Sequence, residues 1–348
     1  MIPGFKNSFF INPDTNYLLL YYGYSVERLN MILSERSSIT TETLMGDFWK
    51  PCPGTCGGYL CCGYQILTPL RGCGMYCRYC ILQVYFERQC QVKFENYQDL
   101  ESELARKIKD WKGVVRFGTG EFGDSLWAEE RLGLSRRIAA TLESYPDTVV
   151  EFKTKSASVD SLKGINRPER IIVGFSLNTP RMIELFEKDT ASLDDRFKAA
   201  QKCEAMGFHV AFHFDPMFWY HGWEQEYREV VRAIYRTVRD PSKISWVSLG
   251  GFRSNPQLKR ALRGKGEHLP LFSGEMIVGA DGKLRYFRPY RIAFYSAMQD
   301  EFEIHDPGVT LYLCMESKEV WEASGMMKRI PGGLPEYLDK RAERMLKL

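Results

Sequence analysis

Gly72-Cys73-Gly74-Met75-Tyr76-Cys77-Arg78-Tyr79-Cys80 sets three cysteines at C-x3-C-x2-C spacing, with an aromatic residue just before the third. The run before it, Tyr64–Pro69 (YQILTP), reads as a short buried strand, so the cysteines fall in the loop that follows a strand. Three thiolates from one tight loop can hold three irons of a cubane cluster. The fourth iron then keeps an open position, unlike an electron-transfer cluster held by four cysteines. An open position is what a metal needs to bind and act on a small molecule. Two plainer readings remain, a structural zinc site or three unrelated thiols. Zinc favours C-x2-C pairs and four ligands, and the five histidines (His209, His213, His221, His268 and His305) are all far from the loop in sequence. So short a motif is decided by its context.

Working outward, strands are expected near 64–69, 114–118, 148–154, 170–177, 208–214 and 244–250, alternating with helices such as 126–144, 192–206 and 222–238. That alternation is the pattern of βα units around a parallel sheet. In such barrels the loops at the C-terminal strand ends build the active site, and the cysteine loop is one of them. Phe197, Ala200 and Cys203 form one face of 192–206 and are assigned to the core. Residues 276–287 read as a hairpin turning at Asp281-Gly282. A strand at Thr310–Cys314, a short helix and a terminal helix at 334–347 close the chain. The expected division is an N-terminal extension at 1–62, with an aromatic stretch at Tyr17–Tyr24, a barrel at 63–252, and a C-terminal extension at 253–348.

Composition narrows the class. Of 348 residues, 44% are hydrophobic, enough for a sizeable core, and 26% are charged. The net charge of +3 is too small to argue for a nucleic-acid partner. No apolar run approaches the roughly 20 residues of a membrane helix, and no secretory pattern opens the chain. A soluble cytoplasmic protein is expected. Eight of the ten cysteines lie between positions 52 and 90, which in a long chain without a secretory leader points to metal or redox chemistry. Cys203 and Cys314 read as small buried hydrophobes.

The cysteine loop and the six βα strands together resemble the radical S-adenosylmethionine (SAM) superfamily. Lys153-Thr154-Lys155, Gly174-Phe175-Ser176-Leu177-Asn178, the stretch Asp194–Phe214, and His221-Gly222-Trp223 with Tyr227 then resemble the spore photoproduct lyase family, over about residues 60–265. The resemblance implies a partial (β/α)6 TIM-type barrel with a C-terminal hairpin and helical extension. It implies a lyase that reverses a thymine cross-link in DNA. Cys73, Cys77 and Cys80 would hold a [4Fe-4S] cluster. Tyr79 would contact SAM, as would Thr119 and Glu121 of the turn Gly118-Thr119-Gly120-Glu121, and Lys155, Ser176 and Asn178. A reductant such as flavodoxin or ferredoxin would start the cleavage of SAM to a 5′-deoxyadenosyl radical, which takes a hydrogen atom from the substrate. Read from the residues alone, Lys155 is also a candidate surface cation. Ser176 and Asn178 alternate on a strand and so share a face, which suits either the barrel interior or a structural hydrogen-bonding role.

The chain departs from the family in two places. The family's hydrogen-returning cysteine at the end of strand two is replaced by Gly118, and the tyrosine after the third cluster cysteine by Ile81. Cys314 and Cys90 are the thiols nominated as substitutes, with a structural Cys314 the plainer reading. Cys52, Cys56, Cys61 and Cys62 are not explained by the family; they read as a second metal site or as free thiols near the first cluster, the vicinal pair being awkward for one tetrahedral centre.

From Phe252 to Arg291, nine Lys/Arg face three acids, leaving the rest of the chain at −3. With Tyr286, Phe287 and Tyr290 interleaved, Arg285, Arg288 and Arg291 are candidate nucleic-acid contacts; a solvated basic face is the other reading. Three functions stand at this point: a photoproduct-type DNA lyase, a radical SAM enzyme on another substrate such as a modified nucleotide or peptide, and a non-catalytic Fe–S nucleic-acid-binding module.

Overall fold

The computed structural model describes residues 38–55, 58–86, 91–264, 270–272 and 274–347. The aromatic stretch Tyr17–Tyr24, Cys56 and Cys90 lie outside the described residues. One eight-stranded sheet organises the chain: β1 (Trp49–Pro51), β2 (Gln65–Leu67), β3 (Val115–Gly118), β4 (Thr148–Thr154), β5 (Ile171–Ser176), β6 (His209–Met217), β7 (Ile244–Gly251) and β8 (Leu311–Leu313). Their spatial order is their chain order. β2 to β8 are parallel, and β1 pairs antiparallel with β2 at one edge.

Helices separate the strands: α1 (Tyr97–Ile108), α2 (Leu134–Leu142), α3 (Leu193–Ala205), α4 (Trp223–Thr237), α5 (Arg288–His305) and α6 (Leu334–Leu346). β5 is buried along its whole length, as expected for parallel strands covered on both faces. α3 begins where the sequence signals it: the Ser192 hydroxyl accepts the Asp195 N–H at 3.1 Å, with Asp194 and Asp195 in the positive first turn. Its Phe197, Ala200 and Cys203 are buried as expected. Tyr227, Val230, Val231 and Ile234 form the buried stripe of α4.

All six expected strands are present, and the structure differs from the expected outline in three ways. First, the sheet does not end near 252. β8 adds a seventh parallel strand, with Leu311 and Leu313 fully buried beside Val247 and Leu249. A strand was expected here, but the intervening hairpin and helix separate it from the other strands by some sixty positions in sequence, which hid its pairing with β7. Second, the helix expected at 126–144 is two pieces, Glu129–Leu132 and α2. Gly133 between them takes a left-handed φ of 60° and caps the first. Third, α5 was not anticipated; it buries Phe294, Tyr295, Met298 and Phe302 and packs on α4. The hairpin is present as Met276–Val278 paired with Leu284–Tyr286.

Candidate active site at the cysteine loop

The loop leaves the C-terminal end of β2, and its backbone is held from both sides. Gly72 N–H donates to Phe122 O at 2.7 Å, and Arg78 N–H to Phe186 O at 2.8 Å. Tyr76 and Cys77 pair antiparallel with Lys188 and Glu187. Under this pairing lies a buried ion pair, Arg196 Nη2 to Glu187 Oε2 at 2.7 Å, both side chains essentially unexposed. Tyr79 Oη donates to the other Glu187 oxygen at 2.5 Å. The Tyr79 hydroxyl is therefore engaged inside the protein.

Cys73, Cys77 and Cys80 are free of disulfides; Cys77 is buried and the other two half-buried. Burial raises all three thiol pKa values, and Cys73 and Cys77 are raised further by the other thiols of the loop. The Lys155 ammonium opposes this at Cys77 and Cys80. Burial weakens the Lys155 charge, but Glu187 and Cys77 raise its pKa overall. Lys155 has no carboxylate within ion-pair distance among the described residues. Three thiols on one tight loop beside the half-buried Lys155 ammonium, which lies 6.0 Å from the Tyr79 ring centre, fit an anionic thiolate-bound cluster, because the cation offsets the charge that burial disfavours.

The remaining SAM candidates are distributed unevenly. Thr119 and Glu121 follow β3; the Thr119 hydroxyl shares a 2.6 Å hydrogen bond with Ser125, and Glu121 is exposed. Ser176 is buried at the end of β5, its carbonyl accepting Arg196 Nη1 at 2.7 Å. Asn178 is committed elsewhere. Its Oδ1 accepts Tyr227 Oη at 2.7 Å and Thr179 N–H at 3.1 Å, and its Nδ2 donates to Pro216 O at 3.1 Å. It fixes the end of β6, the structural role weighed for it. Asp124, not singled out from the sequence, ties the turn to β4: its Oδ1 accepts from Thr154 Oγ1 and Leu126 and Trp127 N–H, its Oδ2 from Lys155 N–H. An aspartate three residues beyond a Gly-rich turn and before an apolar run was the available signal.

Inside the sheet's curl lies a polar network the sequence reading missed. Glu151 on β4 meets His213 Nε2 on β6 at 2.5 Å, accepts Tyr64 Oη at 2.6 Å and Trp246 Nε1 at 3.3 Å. Burial pushes the Glu151 carboxyl up, but His213, Lys153 and Tyr64 pull it down to about 2. Burial lowers the His213 pKa, against the pull of the Glu151 carboxylate. Gly174 makes room for the pair, since a Cβ there would overlap the Glu151 carboxylate. Gly118 is confined likewise: a Cβ would overlap the Tyr64 phenol. Tyr64 thus fills the space beside Gly118, where the family resemblance placed a cysteine. Cys314 follows β8, and Arg253 Nη2 points at its sulfur from 3.4 Å while gripping Asp215 with both terminal nitrogens. Burial and Asp215 raise the Cys314 pKa.

The three arginines proposed for nucleic acid separate. Arg285 is buried, its two terminal nitrogens on Asp281 at 2.5 and 3.0 Å and its guanidinium over the Tyr59 ring. Arg291 is buried against Glu316 and the Tyr286 carbonyl. Both are corrected to internal ion pairs, because a desolvated guanidinium takes the carboxylate beside it. Arg288 is exposed, next to Phe287, which is 44% exposed.

Comparison with known proteins accords with this architecture. The sequence profile of spore photoproduct lyase matches residues 63–247. The spore photoproduct lyase of Clostridium acetobutylicum is 28% identical over 171 residues, 49% of this chain and 51% of that protein. That of Bacillus subtilis (strain 168) is 25% identical over 168 residues, 47% and 48%. The chain spans about half the length of the curated relatives it matches. A solved spore photoproduct lyase mutant with bound AdoMet and dinucleoside spore photoproduct superposes at TM-score 0.73, with 20% identity over 83% of this chain and 86% of that one, which shows the shared fold. With the profile covering more than half of its residues and the fold in agreement, the chain belongs to the spore photoproduct lyase family.

Proposed function

We propose that the protein is a radical SAM lyase that opens thymine cross-links of the spore photoproduct type in DNA. The observation that carries this reading is the Cys73–Cys80 loop at the end of β2, beside the Lys155 ammonium, which has no carboxylate within ion-pair distance among the described residues. When bound, a [4Fe-4S] cluster on Cys73, Cys77 and Cys80, with SAM at its open iron, supplies one-electron cleavage of SAM and removal of a hydrogen atom from the substrate. The chain's residues position and shield. Lys155 attracts a carboxylate at the loop, and Thr119 and Glu121 offer acceptors to an ammonium group. Ser176, buried at the end of β5, presents a hydroxyl. Arg288 and Phe287 on the outer surface suit a phosphate and an unstacked base. An external reductant such as flavodoxin or ferredoxin completes the cycle.

The test uses the anaerobically reconstituted chain, reduced with dithionite and given SAM and dinucleoside spore photoproduct. Release of thymidine by the wild type and not by Cys77→Ala supports the reading. Cleavage of SAM with the photoproduct left intact refutes the substrate and supports a second reading, the same chemistry on a modified nucleotide or peptide. Tyr64 beside Gly118, together with Ile81, favours that second reading, because the site differs where the family carries its cysteine and tyrosine.

A further inference from the structure

Cys52, Cys61 and Cys62 take no part in the loop described above, and we propose that they bind one thiophilic divalent ion of the zinc type. Neighbouring residues in a strand point to opposite faces, so a vicinal pair in regular β structure cannot share an ion. Here Cys61 and Cys62 lie between the strand Tyr59–Leu60 and β2, in an irregular stretch that ends at Gly63 with φ 72°. Their thiols converge and hydrogen-bond each other. The Cys52 thiol bonds to both. Three sulfurs hydrogen-bonded among themselves are a donor set of the kind a thiophilic ion takes.

The surrounding backbone is fixed. Cys52 N–H donates to Tyr64 O at 2.9 Å, Cys61 Sγ accepts Gly63 N–H at 3.4 Å, and the Cys62 carbonyl accepts Arg116 Nη2 at 2.5 Å. Arg116 also places a positive charge beside Cys62. A fourth thiol comes from the opposite edge of the sheet. Tyr59–Leu60 pairs antiparallel with Glu316–Ser317, which brings the end of β8 to this segment, and Cys314 interacts electrostatically with both Cys52 and Cys62. An ion here would clip the segment that leads into β2 to the segment that leaves β8. No group of His, Cys, Asp and Glu among the described residues is preformed for a metal as the chain stands. In this trio the donors are in contact, and an ion takes the place of the thiol protons that remain, as binding to thiols requires.

The experiment counts zinc and iron separately in the full wild-type chain prepared anaerobically, loaded with zinc and desalted, with cobalt as a spectroscopic probe. About one zinc per chain is expected, with a thiolate-to-cobalt charge-transfer band in the near ultraviolet. Both should be lost in Cys52→Ala and Cys62→Ala and kept in Cys203→Ala, a core thiol far from the trio in sequence. Zinc that survives both substitutions, or iron with sulfide in its place, overturns the inference. Should the variants not fold, the wild type decides alone: stripping with a chelator must lower Tm and zinc must restore it, and an unchanged Tm overturns the site. Because loop iron is counted separately, failure here is distinguishable from failure of the cluster on Cys73, Cys77 and Cys80.

Discussion

Tyr79, one residue before Cys80, donates its phenolic hydrogen to Glu187 at 2.5 Å, and Glu187 holds Arg196 with its other oxygen. The last cysteine of the loop is thereby anchored to a buried ion pair more than a hundred residues further along the chain. Burial raises the Glu187 pKa, but Arg196, Lys155 and Tyr79 together lower it, so the carboxylate is the resident form.

Replacing Glu187 by Gln leaves Arg196 buried without its countercharge, a loss of about 3–5 kcal/mol. Urea unfolding of Glu187→Gln should show that drop in midpoint, and iron retained after reconstitution should fall with it. A variant as stable as the wild type would show the pair to be unimportant.

Glu151 predicts an acid sensitivity. Its folded pKa, about 2, lies below the ordinary 4.5, so its contribution is fully present above about pH 4.5 and is lost as pH falls towards 2. A shift of this size corresponds to about 3 kcal/mol. Stability measured by urea at pH 7 and pH 3 should fall more steeply for the wild type than for Glu151→Gln. Parallel pH profiles would remove Glu151 as the cause.

Gly118→Cys should destabilise the chain by about 1–3 kcal/mol, since the new side chain meets the Tyr64 phenol. Adding Tyr64→Ala should recover part of that loss by opening the space. If Gly118→Cys alone has the wild-type Tm, the two residues do not compete for one volume.

Lys155→Met should keep the iron but weaken SAM binding by about 10–100-fold, the worth of one charge-assisted contact. Isothermal titration on the reconstituted chain measures it. Unchanged affinity would make Lys155 a counterion to the thiols alone.

The architecture was largely legible because period and punctuation are local signals. The cysteine spacing, the six apolar strands, Ser192 at the head of α3 and the Asp281-Gly282 turn each announce themselves within a few residues. The strand at β8 was expected, but its place in the sheet was not, because its partner, β7, lies some sixty residues away and no local pattern reports that pairing. Arg285 and Arg291 were misread because a basic count cannot tell a solvated cation from one facing Asp281 or Glu316. Glu151 and His213 did leave a trace, each a polar residue flanked on both sides by apolar ones, Val150 and Phe152 or Phe212 and Phe214. Only the fold shows that the two face each other, with Gly174 giving them room.

The loop of Cys73, Cys77 and Cys80 should support SAM cleavage. The most direct test is 5′-deoxyadenosine formation by the anaerobically reconstituted, dithionite-reduced chain with SAM, beside Cys77→Ala. Formation by the wild type alone is predicted. No 5′-deoxyadenosine from a chain with an intact reduced cluster would contradict the account and leave a metal-binding module in its place.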